Sequence, residues 1–440
     1  MRPIFIFKAL LGWTAFLAWT ALGSAPSFAQ TPQSLKPAPD AETGKQAFTD
    51  NCARCHGPGG AGDGRDSKRM FPHPRNLAEG IFKFRTTASG TPPTDEDLFR
   101  TISEGLPGSR MPDFQRLPEE TRWQLVYHVK SLSSAFRDQK PEPLKFGKDP
   151  GKGNLEKGKQ LYAQLGCNAC HGNLGRGNGA AAATLVDQGG NPISPADLTQ
   201  GWNYRGGSSP KEVLVRLMTG LDGTPMPSYA EAVKPEEVWD LAYYVRSLQD
   251  EPRWSRGVEA VRVSELPAAA DDPQWKKAPR ADLRLSSNFY RTGELVPSSV
   301  NAVSVQAVYN ENEILFRLSW HDRSESREAP PDAVALASLP DPNMKWRAGS
   351  LRSWPALPGD KPAVAYWSAA ATAAPLAETE ALSAQSGYAD GEWTLVARRP
   401  LPGKQSAFGV LVWDGGNSEQ GRHRANSNWV ELILKEGVST

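Results

Sequence analysis

The chain has 440 residues, enough for about three domains of ordinary size. Its 50 basic and 49 acidic side chains leave a formal net charge of +1, so no overall field would recruit nucleic acid or an anionic membrane surface. Fourteen tryptophans and 37 prolines favour loop-rich and β domains over a long helical bundle. Local motifs must therefore indicate the function.

Residues 1–29 have the pattern of a secretory signal peptide. Two basic residues precede an apolar run from Ala9 to Leu22, and Ser27-Phe28-Ala29 places small residues where a signal peptidase reads them. The run is shorter than the roughly 20 residues that span a bilayer comfortably, so we expect cleavage after Ala29, with an uncleaved anchor as the alternative. The mature protein is then expected in the periplasm, reaching a membrane only through an uncleaved signal or a partner.

All four cysteines lie in a five-residue motif that occurs twice, Cys52-Ala-Arg-Cys55-His56 and Cys167-Asn-Ala-Cys170-His171. This motif is the attachment signature of c-type haem, in which two thiols bind one porphyrin edge and the histidine ligates the iron. The alternatives are a four-thiolate zinc site or a redox disulfide. Zinc ribbons separate their cysteine pairs by about 15–20 residues, far fewer than here, and zinc would not explain either histidine. Two covalently bound haem c groups are therefore predicted.

The surroundings of the motif are repeated as well. The repeated segments are 42–48 with 156–162, 74–77 with 195–198, and 105–112 with 220–227. Met111 and Met226 each follow the first cysteine of their motif by the same interval, 52 to 111 and 167 to 226. Each copy then continues into an amphipathic helical run, 123–132 and 239–248. The chain thus contains an internal repeat of one unit.

The two copies resemble class I c-type cytochromes in tandem, over about residues 38–135 and 152–250. The resemblance implies two all-α cytochrome c domains in which the haem iron takes His56 with Met111 and His171 with Met226. The proline after each methionine keeps the backbone extended, so that the sulfur can reach inward. The resemblance also implies that the first and last helices cross where a small residue lets their backbones approach. The candidates in the first domain are Gly44 on the first helix and Tyr127 on the last.

Other residues could serve as the sixth ligand. Met218 lies in the helical run 213–218, where methionine is usually packing, whereas Met70 and His73 have no counterpart in the second copy. His128, on the closing helix, is expected to face outward. Two arginines at equivalent positions, Arg85 and Arg205, each follow an aromatic residue and could bind a haem propionate bidentately, with an exposed surface role as the alternative.

Residues 136–151 contain three prolines and several charges and are predicted to link the two units. From Val258 the hydrophobic period changes to two, and short alternating runs such as 303–309 and 314–320 are separated by turn signals. This pattern predicts an all-β antiparallel sandwich over residues 257–437. The predicted fold class is therefore multidomain: two all-α cytochrome c domains followed by the sandwich.

The third region resembles the haem-binding γ subunit of ethylbenzene dehydrogenase and related molybdenum enzymes of the dimethyl sulfoxide reductase family. The motifs that carry the resemblance are 314–322, 332–336, 363–367, 390–393, 412–416 and 427–429. In that family the sandwich holds a non-covalent haem b through one methionine and one lysine. Here the lysine position aligns with Arg424, whose guanidinium cannot ligate iron. The methionine position aligns with the Leu357-Pro358 region, and Met344 lies well upstream.

Two interpretations of the third domain stay open. His423 or His321 could replace the missing ligands of a haem b, and strand alternation would turn His423 inward if Arg424 faced solvent. The interpretation that we prefer is a haem-free domain used for docking.

Histidine and methionine at both irons leave no coordination position for a substrate, and the soft sulfur ligand should raise the potentials. We therefore expect an exported electron carrier that passes single electrons between redox proteins, with a molybdenum oxidoreductase or a quinol-oxidising complex as the partner. One alternative is a permanent electron-transfer subunit of a molybdenum oxidoreductase complex. Another is a dihaem oxidoreductase or peroxidase with one labile axial site, against which the equal spacing of the methionines argues.

Overall fold

The computed structural model describes residues 36–70, 72–107, 109–287, 298–328, 330–339, 363–370, 380–402 and 406–436. The predicted signal peptide, Met344 and the Leu357-Pro358 region lie outside these ranges. Within them, every helix is too short or too polar to cross a lipid bilayer. From Pro39 onward the chain forms one compact unit, with two helical regions followed by a β-rich region.

The first helical domain is built from five α-helices. They are α1 (Ala41–Asn51), α2 (Ala53–His56), α3 (Asp95–Glu104), α4 (Glu119–Ser131) and α5 (Ala135–Asp138). The side chain of Asp40 caps α1 by accepting hydrogen bonds from the backbone N–H groups of Glu42 and Thr43, both at 3.1 Å. A reciprocal capping box between Thr94 and Asp97 begins α3.

Helices α1 and α4 cross at Gly44, as predicted, but the facing residues differ from the prediction. A Cβ atom at Gly44 would lie 2.6 Å from the carbonyl oxygen of Gln124 and 3.2 Å from the Cβ atom of His128. The His128 ring packs 5.0 Å from the ring of Phe48. The roles predicted for Tyr127 and for an outward-facing His128 are therefore wrong, because α4 turns its Gln124–His128 face toward α1.

The second helical domain repeats this arrangement with four α-helices. They are α6 (Leu155–Gln164), α7 (Cys167–His171), α8 (Pro210–Thr219) and α9 (Pro235–Ser247). A Cβ atom at Gly158 would lie 2.6 Å from the Cβ atom of Tyr244, and the ring of Tyr244 packs 5.5 Å from that of Tyr162. Glycine is thus required at the equivalent crossing of α6 and α9.

The predicted linker, residues 136–151, is docked on both helical domains. The backbone N–H of Leu144 donates to the carbonyl oxygen of Thr86 at 2.9 Å. On the other side, the indole N–H of Trp239 donates to the carbonyl oxygen of Phe146 at 3.1 Å. These contacts hold the same short stretch of the linker, residues 144–146, against both helical domains.

The β-rich domain contains thirteen strands among the described residues, all joined in one hydrogen-bonded sheet. They are β1 (Gly257–Arg262), β2 (Ala281–Arg284), β3 (Ser286–Ser287), β4 (Ala302–Tyr309), β5 (Glu313–His321), β6 (Ala333–Leu339), β7 (Ala363–Ser368), β8 (Glu380–Ala381), β9 (Ser383–Ala389), β10 (Glu392–Pro400), β11 (Ser406–Trp413), β12 (Ala425–Asn426) and β13 (Val430–Lys435). The main path runs β8-β7-β6-β11-β13-β1-β4-β5-β10-β9.

Most neighbouring strands are antiparallel, but the pairing is mixed. Strand β1 pairs parallel with both β13 and β4, and β7 pairs parallel with β8. The prediction of a purely antiparallel sheet is therefore wrong at these strands, because alternation of side chains reveals which face is buried and not the direction of a neighbour.

The core of this domain follows the predicted alternation. Val303, Val305 and Ala307 of β4 are fully buried, as are most inward residues of β5 and β10. Strand β11 is buried along its whole length, consistent with its place between β6 and β13. On the other face, Trp275 packs with Val308 and Leu315 and covers the sheet.

Candidate haem sites

Each Cys-x-x-Cys-His motif lies on a short helix that follows a longer one. Cys55 and His56 end α2, and α7 carries the whole of the second motif. All four thiols are free. Burial raises the pKa of Cys52 to about 12 and also raises the pKa of Cys55 and Cys167, so these groups are protonated thiols near neutral pH.

The structure does not bring the cysteines together as a zinc site would require. Among the described residues, the one cluster of ligand atoms close enough for a metal ion is made of three aspartates in the β domain and contains no cysteine. Each thiol pair instead stands beside its own histidine on one helical turn. This arrangement fits covalent attachment of one porphyrin per domain.

Both motif histidines are held through the same ring nitrogen. His56 Nδ1 lies 3.0 Å from the carbonyl oxygen of Arg75, and His171 Nδ1 lies 2.9 Å from that of Ala196. Because a carbonyl oxygen can only accept, Nδ1 must carry the proton and Nε2 must hold the lone pair. Burial lowers the pKa of both histidines, which favours the neutral ring that can ligate iron.

Sequence reasoning identified the histidines but not the carbonyl groups that orient them. Arg75 and Ala196 are the second residues of the repeated segments 74–77 and 195–198, so the signal was present as an unexplained repeat. The fourth residues, Leu77 and Leu198, donate backbone N–H groups to Gly60 and Gly175 at 2.6 Å. These bonds fix each segment against the loop that follows its motif.

The two predicted methionine ligands stand in identical turns. The backbone N–H of Leu106 donates to the carbonyl oxygen of Met111 at 3.1 Å, and that of Leu221 donates to Met226 at the same distance. Both methionines are half-buried. Their assignment as sixth ligands stays a prediction, supported by the equal geometry of the two turns.

A hydroxyl group two residues earlier completes each turn. The backbone N–H of Met111 donates to Ser109 Oγ, and that of Met226 donates to Thr224 Oγ1, both at 3.2 Å. Each hydroxyl in turn donates to the carbonyl oxygen of the leucine that opens the turn. Serine and threonine are therefore interchangeable here because only the hydroxyl group is used.

The competing ligand candidates occupy different surroundings. Met218 is 5% exposed and belongs to the hydrophobic core of the second helical domain. Met70 is half-buried and His73 is exposed. The packing of Met218 agrees with its predicted structural role.

Arg85, predicted as a propionate ligand, contacts the second helical domain. Its side chain is fully buried, and Nη2 lies 2.7 Å from Asp222 Oδ1 and 2.8 Å from the carbonyl oxygen of Thr219. The backbone N–H of Gly90 also donates to Asp222, at 2.9 Å. Arg85 therefore joins the two helical domains, and its role at a propionate stays a prediction.

Three other basic side chains from both helical domains lie near one another. Burial, together with the positive charges of Arg75 and Arg205, lowers the pKa of Lys83 to about 8. Burial also lowers the pKa of both arginines, while the charge of Asp187 acts in the opposite direction on Arg75. Cationic groups that are partly shielded from solvent can pair with the propionate carboxylates of haem. Arg205 stays a predicted propionate ligand, and Arg75 and Lys83 join it as candidates that sequence reasoning missed.

In the β domain, both residues of the candidate third haem site are buried. Arg424 is fully buried, and its guanidinium donates to Asn426 Oδ1 and to the carbonyl oxygen of Gly421, both at 2.8 Å. His423 is 9% exposed. Arg424 does not face solvent, so the condition on which His423 was expected to turn inward is not met: the two residues precede β12 and are buried together. His423 as a haem ligand stays a prediction.

His321, the other substitute ligand considered, contacts the second helical domain. Its Nδ1 atom lies 2.6 Å from Asp197 Oδ2 and 3.3 Å from Thr199 Oγ1. Asp197 directly follows Ala196, the carbonyl partner of His171. The β domain therefore reaches the segment that orients the second motif histidine.

In comparisons with known proteins, both helical regions match cytochrome family models. A family model described as "Cytochrome c" matches residues 155–249, and one described as "Cytochrome C oxidase, cbb3-type, subunit III" matches residues 39–129. The chain is 28% identical to the cbb3-type cytochrome c oxidase subunit CcoP of Azospirillum sp. (strain B510), over 47% of this chain and 61% of the relative. It is also 28% identical to the FixP subunit of Azorhizobium caulinodans, over 47% of this chain and 58% of the relative.

The chain thus spans about three fifths of the length of these curated relatives. Among solved structures, a chain of the reducing HAO-like protein complex of Kuenenia stuttgartiensis is 44% identical. That alignment covers 49% of this chain and 100% of the other, with a TM-score of 0.47.

Proposed function

We propose that this haem-containing electron-transfer cytochrome, with its two cytochrome c domains, is an exported dihaem carrier that passes single electrons between redox proteins. The observation that carries the proposal is the duplicated setting of each site. Both domains orient the motif histidine through a backbone carbonyl and present a methionine in the same turn. A protein built to activate a substrate would need one site that differs in its sixth ligand.

The chain's own residues prepare each site for haem c. Cys52 and Cys55 would hold one group and Cys167 and Cys170 the other, while His56 and His171 present Nε2 because Nδ1 is already bound. When bound, haem c supplies reversible one-electron exchange at its iron. Methionine at the sixth position would close the site to small molecules.

The interface between the helical domains supports transfer within one molecule. The ion pair between the buried Arg85 and the half-buried Asp222, together with the docked linker, holds the two domains together. Removal of Asp222 would leave the buried guanidinium of Arg85 without its carboxylate, which destabilises this interface. The two sites should therefore keep a fixed relation during turnover.

We propose that the β domain is a sandwich that docks the carrier to its partner and holds no haem. Arg424 occupies the family's lysine position with its guanidinium already engaged by Asn426 and Gly421. The partner that we propose is a molybdenum oxidoreductase or a quinol-oxidising complex. A permanent place as an electron-transfer subunit, as in a molybdenum oxidoreductase complex, is the second candidate. That the relatives are named as subunits of cbb3-type cytochrome c oxidase favours a place in some redox complex. The mass of the natively purified particle separates the two.

Haem stoichiometry tests the proposal directly. Intact-mass spectrometry of the denatured protein should show a polypeptide that begins near Gln30 plus two haem masses. Total haem in the native protein should equal the covalent haem. An excess of extractable haem b that disappears in His423→Ala would show a third haem and contradict the docking role.

Ligand access tests the alternative of a dihaem oxidoreductase or peroxidase. Reduced protein should give no carbon monoxide difference spectrum, because both sixth positions are expected to be filled. A stoichiometric carbon monoxide or cyanide complex in the wild type would instead identify an open iron and favour the enzyme.

A further inference from the structure

Three aspartates meet at one end of the β domain, far along the chain from either Cys-x-x-Cys-His motif. Asp322 follows β5, Asp332 precedes β6 and Asp414 follows β11. Because β6 and β11 are antiparallel with Ala333 opposite Trp413, the last two carboxylates lie at the same edge. One oxygen of each aspartate lies within 4.8 Å of the others, and the residues are only 3%, 0% and 4% exposed.

Backbone and side-chain donors hold two of these carboxylates firmly. Asp332 accepts hydrogen bonds from the backbone N–H groups of Ser326 at 2.7 Å and Gly415 at 2.8 Å, and from the indole N–H of Trp393 at 3.0 Å. Asp414 accepts from the backbone N–H of Asn417 at 3.0 Å and from the hydroxyl of Ser299. Such donors favour the charged form of a carboxylate.

The third carboxylate has an unsatisfied oxygen. Asp322 Oδ1 accepts from the backbone N–H of Ser324 at 3.2 Å, whereas Oδ2 is buried without a hydrogen-bond partner in the described part of the chain. A buried carboxylate oxygen without a donor is costly, and native proteins normally satisfy it. Asp322 thus contributes an oxygen to the cluster and carries a buried lone pair that no described donor satisfies.

Within the described ranges, the basic side chain that acts on this cluster is Arg323. Arg323 interacts electrostatically with Asp414 and Asp322, but within the described ranges it forms no ion pair with either. A fourth acid, Glu419, is 1% exposed and accepts from the backbone N–H of Asp414 at 3.3 Å. Three buried aspartates therefore lie together beside a fourth acid, and none of the three forms an ion pair with a basic side chain of the described residues.

We propose that Asp322, Asp332 and Asp414 bind a divalent cation, and that the cation is calcium. The donors are all carboxylate oxygens, which suits a hard cation and disfavours zinc or copper. Calcium accepts an irregular set of oxygens completed by water, whereas magnesium requires near-octahedral geometry and keeps most of its own water. A bound proton is the competing way to neutralise the cluster, since burial raises the pKa of Asp332 to about 6.

The site would stabilise the junction with the second cytochrome domain. Asp322 is adjacent to His321, which lies 2.6 Å from Asp197. A cation that fixes Asp322 would therefore fix the end of β5 and the contact with residues 195–198.

The test uses the full haem-loaded protein. After removal of metals with a chelator, calorimetric unfolding is followed with and without calcium chloride, and bound metal is measured by elemental analysis. Calcium at about a hundred times its dissociation constant should raise the melting temperature by about 5–10 °C, with one calcium bound per chain. An unchanged melting temperature with no bound calcium would overturn the proposal.

The variant Asp322→Asn distinguishes a cation from a proton. Without calcium it should melt above the wild type, because one buried like charge is removed. With calcium it should melt below the wild type, because the response to calcium is lost. Asp271→Asn, an exposed site away from the cluster, should respond to calcium as the wild type does. A variant that melts above the wild type under both conditions would show that a proton neutralises the cluster.

Discussion

The two cytochrome domains use the same parts, yet they differ at the residue after the carbonyl group that orients each motif histidine. In the first domain this residue is Asn76, whose side-chain amide donates to Glu79 Oε1 within its own domain at 2.9 Å. In the second it is Asp197, which lies 2.6 Å from His321 of β5. The second site is therefore joined to the β domain, whereas the first is supported within its own fold.

The two copies therefore agree within the local site and differ in its surroundings. The carbonyl partners, methionine turns and helix-crossing glycines are alike in both domains. The contacts that each domain makes with its neighbours differ. Arg85 of the first domain contacts Asp222 of the second, and Arg176 of the second pairs with Glu392 of β10 at 2.5 Å. The second domain thus lies at the junction of the other two.

The largest expected effect comes from the thiol pairs. Replacing Cys52 and Cys55 together by serine should remove the covalent haem of the first domain only, and the same change at Cys167 and Cys170 should remove that of the second. Each pair is expected to form both thioether bonds to one haem. Intact-mass spectrometry should then show one haem mass in either double variant. Loss of both haems from one double variant would contradict the independence of the two sites.

The methionine ligands should give the next largest effect. Met111→Ala and Met226→Ala should each remove about half of the weak far-red sulfur-to-iron band of the oxidised protein and lower one midpoint potential, because a thioether favours ferrous iron. Met218→Ala is the matched control, and it should lower the free energy of unfolding by about 2–5 kcal/mol while keeping the band. A silent Met226→Ala together with loss of the band in Met218→Ala would reverse the assignment.

The helix crossings should give a smaller effect, on stability alone. Gly44→Ala and Gly158→Ala should each lower the free energy of unfolding by about 1–3 kcal/mol, because the new methyl group meets a backbone carbonyl that cannot move aside. Gly158→Ala should be the more severe, since its Cβ atom would also meet that of Tyr244 at 2.6 Å, whereas His128 Cβ lies 3.2 Å from the position at Gly44.

Gly59→Ala is the control for these two variants. A Cβ atom at Gly59 would have no heavy atom within 4 Å, so thermal unfolding of this variant should match the wild type. Equal destabilisation by all three changes would mean that loss of glycine, and not the close approach of the helices, is responsible.

The parts of the site that sequence could predict are those carried by side-chain identity at fixed spacing. The thiols and histidines are of this kind, and so are the methionines, whose role as ligands stays a prediction. The closing helices α4 and α9 formed where periodicity placed them. The carbonyl groups of Arg75 and Ala196 act through the backbone, so no residue type identifies them. The parallel pairing of β1 could not be predicted either, since the alternation of apolar and polar residues does not indicate the direction of the neighbouring strand.

Contacts between residues far apart in the sequence were also not predicted. Asp197 and His321 are 124 residues apart, and no local pattern joins them. The cluster of Asp322, Asp332 and Asp414 likewise exists only because three strand ends converge. His128 was predicted on the wrong face because an amphipathic pattern tolerates histidine on either side of a helix. Its equivalent in the second domain, Tyr244, also lies at the helix crossing.

The smallest expected effect concerns the residue that distinguishes the two domains. Burial alone would raise the pKa of Asp197, but its hydrogen bond and charge interaction with His321, and its hydrogen bonds with Thr199, outweigh burial and lower it. A carboxylate whose pKa is lower in the folded state contributes stability above its ordinary pKa of about 3.9, and loses it as the pH falls through the lowered value. Asp197→Asn should therefore reduce the free energy of unfolding by about 1 kcal/mol at neutral pH, and the difference should vanish below the lowered pKa.

The control for this last prediction is the reverse change at the equivalent position of the first domain. Asn76→Asp creates the same carboxylate, but its neighbour there is the acidic Glu79 and not a histidine of the β domain. It should bring no gain in stability at neutral pH, and unfolding of the haem-loaded protein followed at several pH values would show this. If Asn76→Asp stabilised the protein as strongly as Asp197 does, the carboxylate would act through its own loop. The contact with β5 would then not be what separates the second site from the first.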